Sequence, residues 1–232
     1  MEYYYTNKSN ISDNELIIKD KEAHHLKNVL RKNIGDGLFV TDGERNLYKV
    51  KIISIDKDSL KCSVDDKLYN VNEPDRTINL YLALLKNPSR FEFAIEKCVE
   101  IGVNEITPII TEHVINKKSD RIERWQSISL AAMKQSQRCY LPIINQPIIF
   151  NNAIQNCTTK IKLLADERET CRANFSLSTG NISLFIGPEG GFSSEEVELA
   201  EKNSFQIISL GKRKLRSETS AIVGITKMLY NS

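Results

Sequence analysis

Two short stretches of this chain carry residue types able to build a ligand cradle. The first, Ile186-Gly187-Pro188-Glu189-Gly190-Gly191-Phe192-Ser193, follows the apolar run Ser183-Leu184-Phe185-Ile186 and leads into a helix expected from Ser194. Pro188 and the glycines let backbone N–H and C=O groups face a ligand closely, which suits the hydrogen-bonding edge of an adenine or a ribose. The second, Gly211-Lys212-Arg213-Lys214-Leu215-Arg216, follows the strand-like Gln206-Ile207-Ile208-Ser209-Leu210 and precedes a helix expected from Ser217. Open α/β sheets bind ligands at the carboxyl ends of their strands. One glycine-rich acidic loop beside one basic loop therefore reads as a site. The first loop lacks the Lys-Ser/Thr of a P-loop and the G-x-G-x-x-G of a dinucleotide fold, so neither of those mechanisms applies.

Within the second loop, Arg216 sits between apolar Leu215 and a helix start. A guanidinium there can hold an anion or stabilise negative charge developing on a substrate oxygen. Ser217 and Glu218 have a simpler reading, as a helix cap and as an acid at the positive amino end. Glu189 also reads as an exposed turn acid. His24-His25 has no companion Cys/His cluster and reads as a surface or packing pair rather than a metal site. Lys134 and Arg138, one turn apart around Gln135, Ser136 and Gln137, make a basic helix end suited to RNA or a partner.

The elements that position these residues fall into two regions. Up to about residue 70 the chain reads as short strands (15–19, 38–40, 48–55, 60–64) with one helix at 23–32, whose Leu26, Val29 and Leu30 share a face. That pattern suggests a small β-barrel-like domain, and the polar stretch 70–76 with Pro74 is the boundary. From Thr77 strands alternate with helices, the mark of a parallel sheet. Strands are expected at 78–85, 105–110 and 161–165, and a long helix at 119–138. Ser89 and Glu92 form a possible capping box, as do Ser193 and Glu196.

Composition limits the class. Apolar content of 41% with 27% charged residues is that of a soluble globular chain, and no apolar run approaches a membrane span. The start at Met1-Glu2-Tyr3 shows no targeting pattern, so the cytoplasm is the expected compartment. The five cysteines, Cys62, Cys98, Cys139, Cys157 and Cys171, are widely spaced with no C-x-x-C pair, which argues against a disulfide framework or a zinc site. A net charge of +2 announces no nucleic acid, but cations cluster at Lys27, Arg31 and Lys32, at Lys117, Lys118, Arg121 and Arg124, and at 212–216. Such clusters neutralise phosphates or simply solvate the surface.

The glycine loop, followed by Ser209-Leu210-Gly211 and Leu215-Arg216-Ser217-Glu218-Thr219, resembles the RsmE family of bacterial 16S ribosomal RNA uridine-N3 methyltransferases, within the SPOUT superfamily. Two further blocks carry the likeness across most of the chain. Lys97 to Val103 with Ile106-Thr107-Pro108 resembles the family's Lys-x-x-Glu-Leu-Gly and Ile-Thr-Pro block. His24-His25 through Val29-Leu30-Arg31 and Gly35-Asp36 resembles its amino-terminal His-x-x-x-Val-Leu-Arg signature.

The resemblance implies a PUA-like β-barrel RNA-binding domain over 1–72 and an α/β SPOUT domain over 73–232, its parallel sheet tied in a deep carboxyl-terminal trefoil knot. It also implies a cytoplasmic homodimer that uses S-adenosyl-L-methionine and no metal. Carried over, the cofactor cradle is Ile186, Gly187, Gly190 and Gly191, with Leu210 and Gly211, and with Leu215, Arg216, Ser217 and Ala221. Arg216 and Glu189 become the catalytic pair, and Lys27, Arg31, Lys134 and Arg138 the RNA contacts. Ser217 stands where the family usually has Thr, Lys86-Asn87-Pro88-Ser89-Arg90 replaces a Lys-Gly-Asp-Lys turn, and the amino terminus lacks an early arginine. Three alternatives are a non-catalytic RNA-binding protein of the same fold, a superfamily enzyme acting on tRNA or another rRNA site, and a small-molecule α/β enzyme.

Overall fold

The structure is a computed structural model and describes residues 2–115, 120–168 and 180–230, so Lys117, Lys118, Ser119 and Cys171 lie outside the described residues. It divides into two units, Met1–Glu73 with Met133–Leu141, and Pro74–Ala132 with Pro142–Ser232.

The first unit is built on a five-stranded sheet of order β1-β3-β4-β5-β2, made by β1 (Tyr4–Tyr5), β2 (Glu15–Lys19), β3 (Gly37–Thr41), β4 (Asn46–Ile55) and β5 (Ser59–Tyr69). β1 joins β3 in parallel, and every other pairing is antiparallel. Along β4, Val50 and Ile52 are buried while Lys49, Lys51 and Ile53 face out, the alternation of a sheet with one wet face. Leu16, Ile18, Val40, Val50, Ile52 and Leu60 meet Leu26 in the core.

The helix expected over 23–32 lies three residues earlier and is wound differently. An α-helical turn, α1 (Asp20–His24), passes into a π-wound turn at His25–Val29, closed by the Leu30 N–H donating to the His25 carbonyl at 3.0 Å. One extra residue in the turn rotates the next positions by about 100°. Leu26 therefore stays in the core while Val29 and Leu30 face out, correcting the expected common face.

Residues 133–141 also belong to this unit. The Arg138 side chain is only 2% exposed and pairs with the fully buried Glu73, Nη2 to Oε2 at 2.7 Å. The other Glu73 oxygen accepts the backbone N–H groups of Cys139 and Tyr140, both at 2.9 Å. Burial pushes the Cys139 thiol up to about 11.

The second unit is a parallel sheet of order β12-β10-β11-β6-β7-β8, with β9 also on β7. Its strands are β6 (Ile78–Ala83), β7 (Glu105–Ile110), β8 (Ile143–Ile144), β9 (Ile148–Ile149), β10 (Ile161–Ala165), β11 (Ile182–Ile186) and β12 (Gln206–Ile208). β11 is buried along its whole length, as a central parallel strand covered on both faces must be. On one face Phe185 stacks on Tyr81 at 4.1 Å and meets Phe205 edge-on at 4.9 Å.

Helices α2 (Pro88–Ile101), α3 (Ile122–Gln135), α4 (Phe150–Asn156), α5 (Ser194–Lys202) and α6 (Ser217–Tyr230) complete the element list. α6 packs on α2, β6 and β11. It lies so close that a Cβ at Gly224 would fall 2.6 Å from Leu184 Cδ2. Its buried face is Ala221, Gly224, Ile225 and Met228, whereas Ile222 and Leu229 are half-buried.

Helix starts were only partly read correctly. The Ser193–Glu196 capping box forms, with both reciprocal bonds present. The Ser89–Glu92 box does not: Asn87 caps α2 through Ser89 N–H, Pro88 takes the first helical position, and Glu92 is drawn away by Arg121 and Arg124 at 3.0 Å each.

Glu73→Ala is expected to cost about 3–5 kcal/mol of unfolding free energy in denaturant melts, because it removes the buried carboxylate that pairs with Arg138 and accepts two N–H groups. A loss below about 1 kcal/mol would show that water replaces the carboxylate.

Candidate functional site

Because all strands of the second unit's sheet run parallel, the loops after β6, β7, β10, β11 and β12 collect at one end. There a cavity of about 600 Å³ is lined by Glu112-His113, residues 165–168, residues 186–195, residues 209–211, residues 213–217 and Ser220. A volume in the range of about 300–1,000 Å³ is that of a small-molecule site.

The glycine loop forms one wall. Gly191 has φ +71°, a left-handed value that suits glycine. A Cβ at Gly190 would lie 3.0 Å from His113 Cβ, and one at Gly187 would lie 3.2 Å from the Phe192 ring. The glycines thus let the loop fold tightly against its neighbours. His113 Nδ1 lies 3.1 Å from the Gly191 carbonyl, and Glu196, besides its cap, accepts Glu112 N–H at 2.9 Å. Glu189 is exposed on the loop and accepts Lys86 N–H at 3.1 Å, tying the glycine loop to the turn after β6.

The basic loop forms the opposite wall. Gly211 turns at φ +153°, and Lys227 Nζ on α6 holds the Leu210 carbonyl at 2.9 Å. α6 begins at Ser217 itself, with the Arg216 carbonyl accepting Ser220 N–H at 2.8 Å. The N-cap position thus belongs to Arg216 and not to Ser217 as read from sequence. Its carbonyl is engaged, while among the described residues its exposed guanidinium has neither hydrogen bond nor ion pair. Glu218 is nearly buried and 3.7 Å from Arg90 Nε.

The sequence reading missed the third wall, Asp166-Glu167-Arg168 after β10. Arg168 grips the Asp166 carboxylate, Nη2 to Oδ2 at 2.6 Å, and donates to the Phe192 carbonyl at 3.1 Å, so it joins this wall to the glycine loop. Lys214 Nζ reaches Glu167 Oε1 at 2.6 Å from the basic loop. The available signal was the strand-like stretch 161–165 running into the four charged residues 166–169, the same strand-end logic that located the other two loops.

Of the residues expected to hold a cofactor, Ile186, Gly187, Gly190, Gly191, Leu210, Gly211, Leu215, Arg216 and Ser217 line this cavity, as does Glu189. Ala221 is fully buried behind it. The expected RNA contacts, Lys27, Arg31, Lys134 and Arg138, all lie in the first unit and divide there. Arg138 is the buried partner of Glu73, and Lys134 Nζ holds Glu22 at 2.7 Å, so both charges are already matched by carboxylates. Lys27 is half-buried and Arg31 exposed.

Burial alone would raise the Asp166 carboxyl, but the Arg168 side chain and backbone N–H outweigh it and hold the group below its ordinary 3.8. A carboxyl depressed on folding stabilises the fold above the unfolded value and loses that contribution as pH falls through the folded one. The pair is accordingly intact at neutral pH and is lost only below 3.8. In an NMR titration Arg168→Ala should move the Asp166 midpoint upward; an unmoved midpoint would assign the depression to another group.

Comparison with known proteins places this geometry. Residues 72–229 match the family described as RNA methyltransferase domain, and residues 18–65 the one described as RNA methyltransferase PUA domain. The ribosomal RNA small subunit methyltransferase E of Mesomycoplasma hyopneumoniae is 39% identical over 94% of this chain and 95% of its own. The Rickettsia conorii protein of the same name is 31% identical over 95% of this chain and 92% of its own. Among solved structures, ribosomal RNA small subunit methyltransferase E from Neisseria gonorrhoeae, bound to S-adenosyl methionine, superposes with a TM-score of 0.90 at 28% identity, covering 98% of this chain and 96% of that one.

Proposed function

This chain belongs to the RNA methyltransferase family of ribosomal RNA small subunit methyltransferase E, and from that premise we propose that it methylates N3 of one uridine in 16S ribosomal RNA using S-adenosylmethionine. The observation that carries the reading is the three-walled cavity at the strand ends, two of whose walls are the loops that the family resemblance singles out.

The walls fit the cofactor. Glycine backbone lies open for close approach, and carboxylates at Asp166 and Glu167 stand with cations at Arg168, Arg213 and Lys214, a mixed lining suited to a zwitterionic amino-acid tail beside a sulfonium. Backbone at Ile186 to Gly191, Leu210-Gly211 and Leu215 to Ser217 would hold it. When bound it supplies an electrophilic methyl group.

The chain's own residues do the rest. Loss of the N3 proton puts negative charge on N3 and the ring oxygens; that charge would be consumed as the N–CH₃ bond forms and the donor departs as a neutral thioether. The exposed Arg216 guanidinium, unengaged among the described residues, is suited to stabilise that charge. Glu189, held against Lys86 N–H, orients the glycine loop and offers a carboxylate to take the proton. The protein acts as a homodimer in the cytoplasm. Return of the chain from edge strand β12 to the seat of α6 on β6 and β11 supports the trefoil knot. An intact, charged cavity disfavours the non-catalytic alternative.

Transfer of label from radioactive S-adenosylmethionine to unmethylated 30S subunits should yield 3-methyluridine at one position. Arg216→Ala should lower kcat by about 10²–10³ while cofactor affinity stays within a few-fold. Label in any other nucleoside refutes the substrate; no cofactor binding at all refutes the enzyme.

A further inference from the structure

Residues 27–34 combine features that the chemistry above leaves unused. Val29 is 61% exposed, Leu30 40% and Ile34 66%, three apolar side chains in water within six residues. They are interleaved with Lys27, Arg31 and Lys32, and no carboxylate occurs between Glu22 and Asp36. Both flanking acids are engaged, Glu22 by Lys134 and by Tyr5 N–H, Asp36 by Asn33 N–H. Among the described residues, Arg31 and Lys32 form no ion pair.

The backbone is shaped to present this set. The π-wound turn takes Val29 and Leu30 off the core face, and Arg31 comes next at φ 53°, a left-handed conformation costly for a residue with a Cβ. Leu26 anchors the turn in the core, and Leu30 and Lys32 N–H groups are fixed to the His25 and Leu26 carbonyls at 3.0 Å each. The result is an apolar prong flanked by Arg31 and Lys32, with Lys27 Nζ taken by the Asp56 carbonyl at 3.2 Å.

A polyanion with apolar flat faces fits such a prong. Uridine N3 lies on the Watson–Crick edge, so the target base has to be unpaired before it can react, and its displacement leaves a gap in the stack. We propose that Val29, Leu30 and Ile34 form a wedge that enters the displaced stack of the substrate rRNA, with Arg31 and Lys32 gripping the adjacent phosphates. This rests on the uridine-N3 reading above. Apolar wedges with basic flanks separate bases in this way, and the energy lost in unstacking is offset by the larger protein surface that the opened nucleic acid then covers.

The test uses the full chain with unmethylated 30S subunits and a carbodiimide that modifies unpaired uridine at N3. Wild type should open bases beside its binding site to the reagent. V29S/I34S, which keeps every cation, should bind with the same affinity and salt slope, fail to open those bases, and transfer methyl about tenfold more slowly. R31A/K32A should instead bind more weakly, with the salt slope reduced by about two. Both should keep wild-type cofactor affinity and melting temperature.

Unchanged base opening in V29S/I34S overturns the wedge. So does a V29S/I34S defect that disappears on protein-free 16S rRNA, which would mark a ribosomal protein as the partner, or a V29S/I34S change in sedimentation, which would mark a second copy of the chain. Base opening by wild type without 3-methyluridine would sink the uridine reading and leave the wedge standing.

Discussion

The site depends on how closely α6 lies on β11. No side chain at 224 separates the helix from Leu184, so the helix start is drawn in over the end of the same strand that feeds the glycine loop. Arg216, at the start of this helix, and Gly191, after this strand, line the same cavity. An alanine at 224 would put its Cβ 2.6 Å from Leu184 Cδ2, so that side chain or the helix has to shift although no lining residue is touched. Packing density in the core therefore sets geometry at the surface.

Charge is the second constraint. The walls are held to one another by Arg168 on the Phe192 carbonyl, Lys214 on Glu167 and Glu189 on Lys86 N–H. Exposed pairs such as Lys214 with Glu167 contribute little stability. They fix the relative placement of loops that have no strand or helix of their own. Arg216 stands apart from these ties, and among the described residues its guanidinium has no carboxylate partner.

Sequence revealed the parts of the site that are local. A strand, a glycine or basic loop and a helix start occur within about twenty residues of one another, so both major walls could be read. The Asp166–Arg168 wall was missed because its membership depends on β10 lying between β11 and β12, an order that local pattern does not encode. The π-wound turn was equally hidden, since Leu26, Val29 and Leu30 have the spacing of an ordinary amphipathic helix. Lys134 and Arg138 looked like a free basic helix end because their partners, Glu22 and Glu73, are more than sixty residues away in the chain. Capping was legible only where the competing ion pairs were absent.

The buried Glu73–Arg138 pair also has a consequence for how the protein is made. The first unit recruits Met133–Leu141, so it cannot finish packing when the segment Met1–Glu73 has left the ribosome. Until the chain has been translated through Leu141, Glu73 lacks its guanidinium and the Cys139 and Tyr140 N–H donors. Domains generally close in the order of synthesis. Here the amino-terminal one has to wait for a large part of its neighbour, so a pause in translation between these segments would leave the unit incompletely packed, with Glu73 still in water.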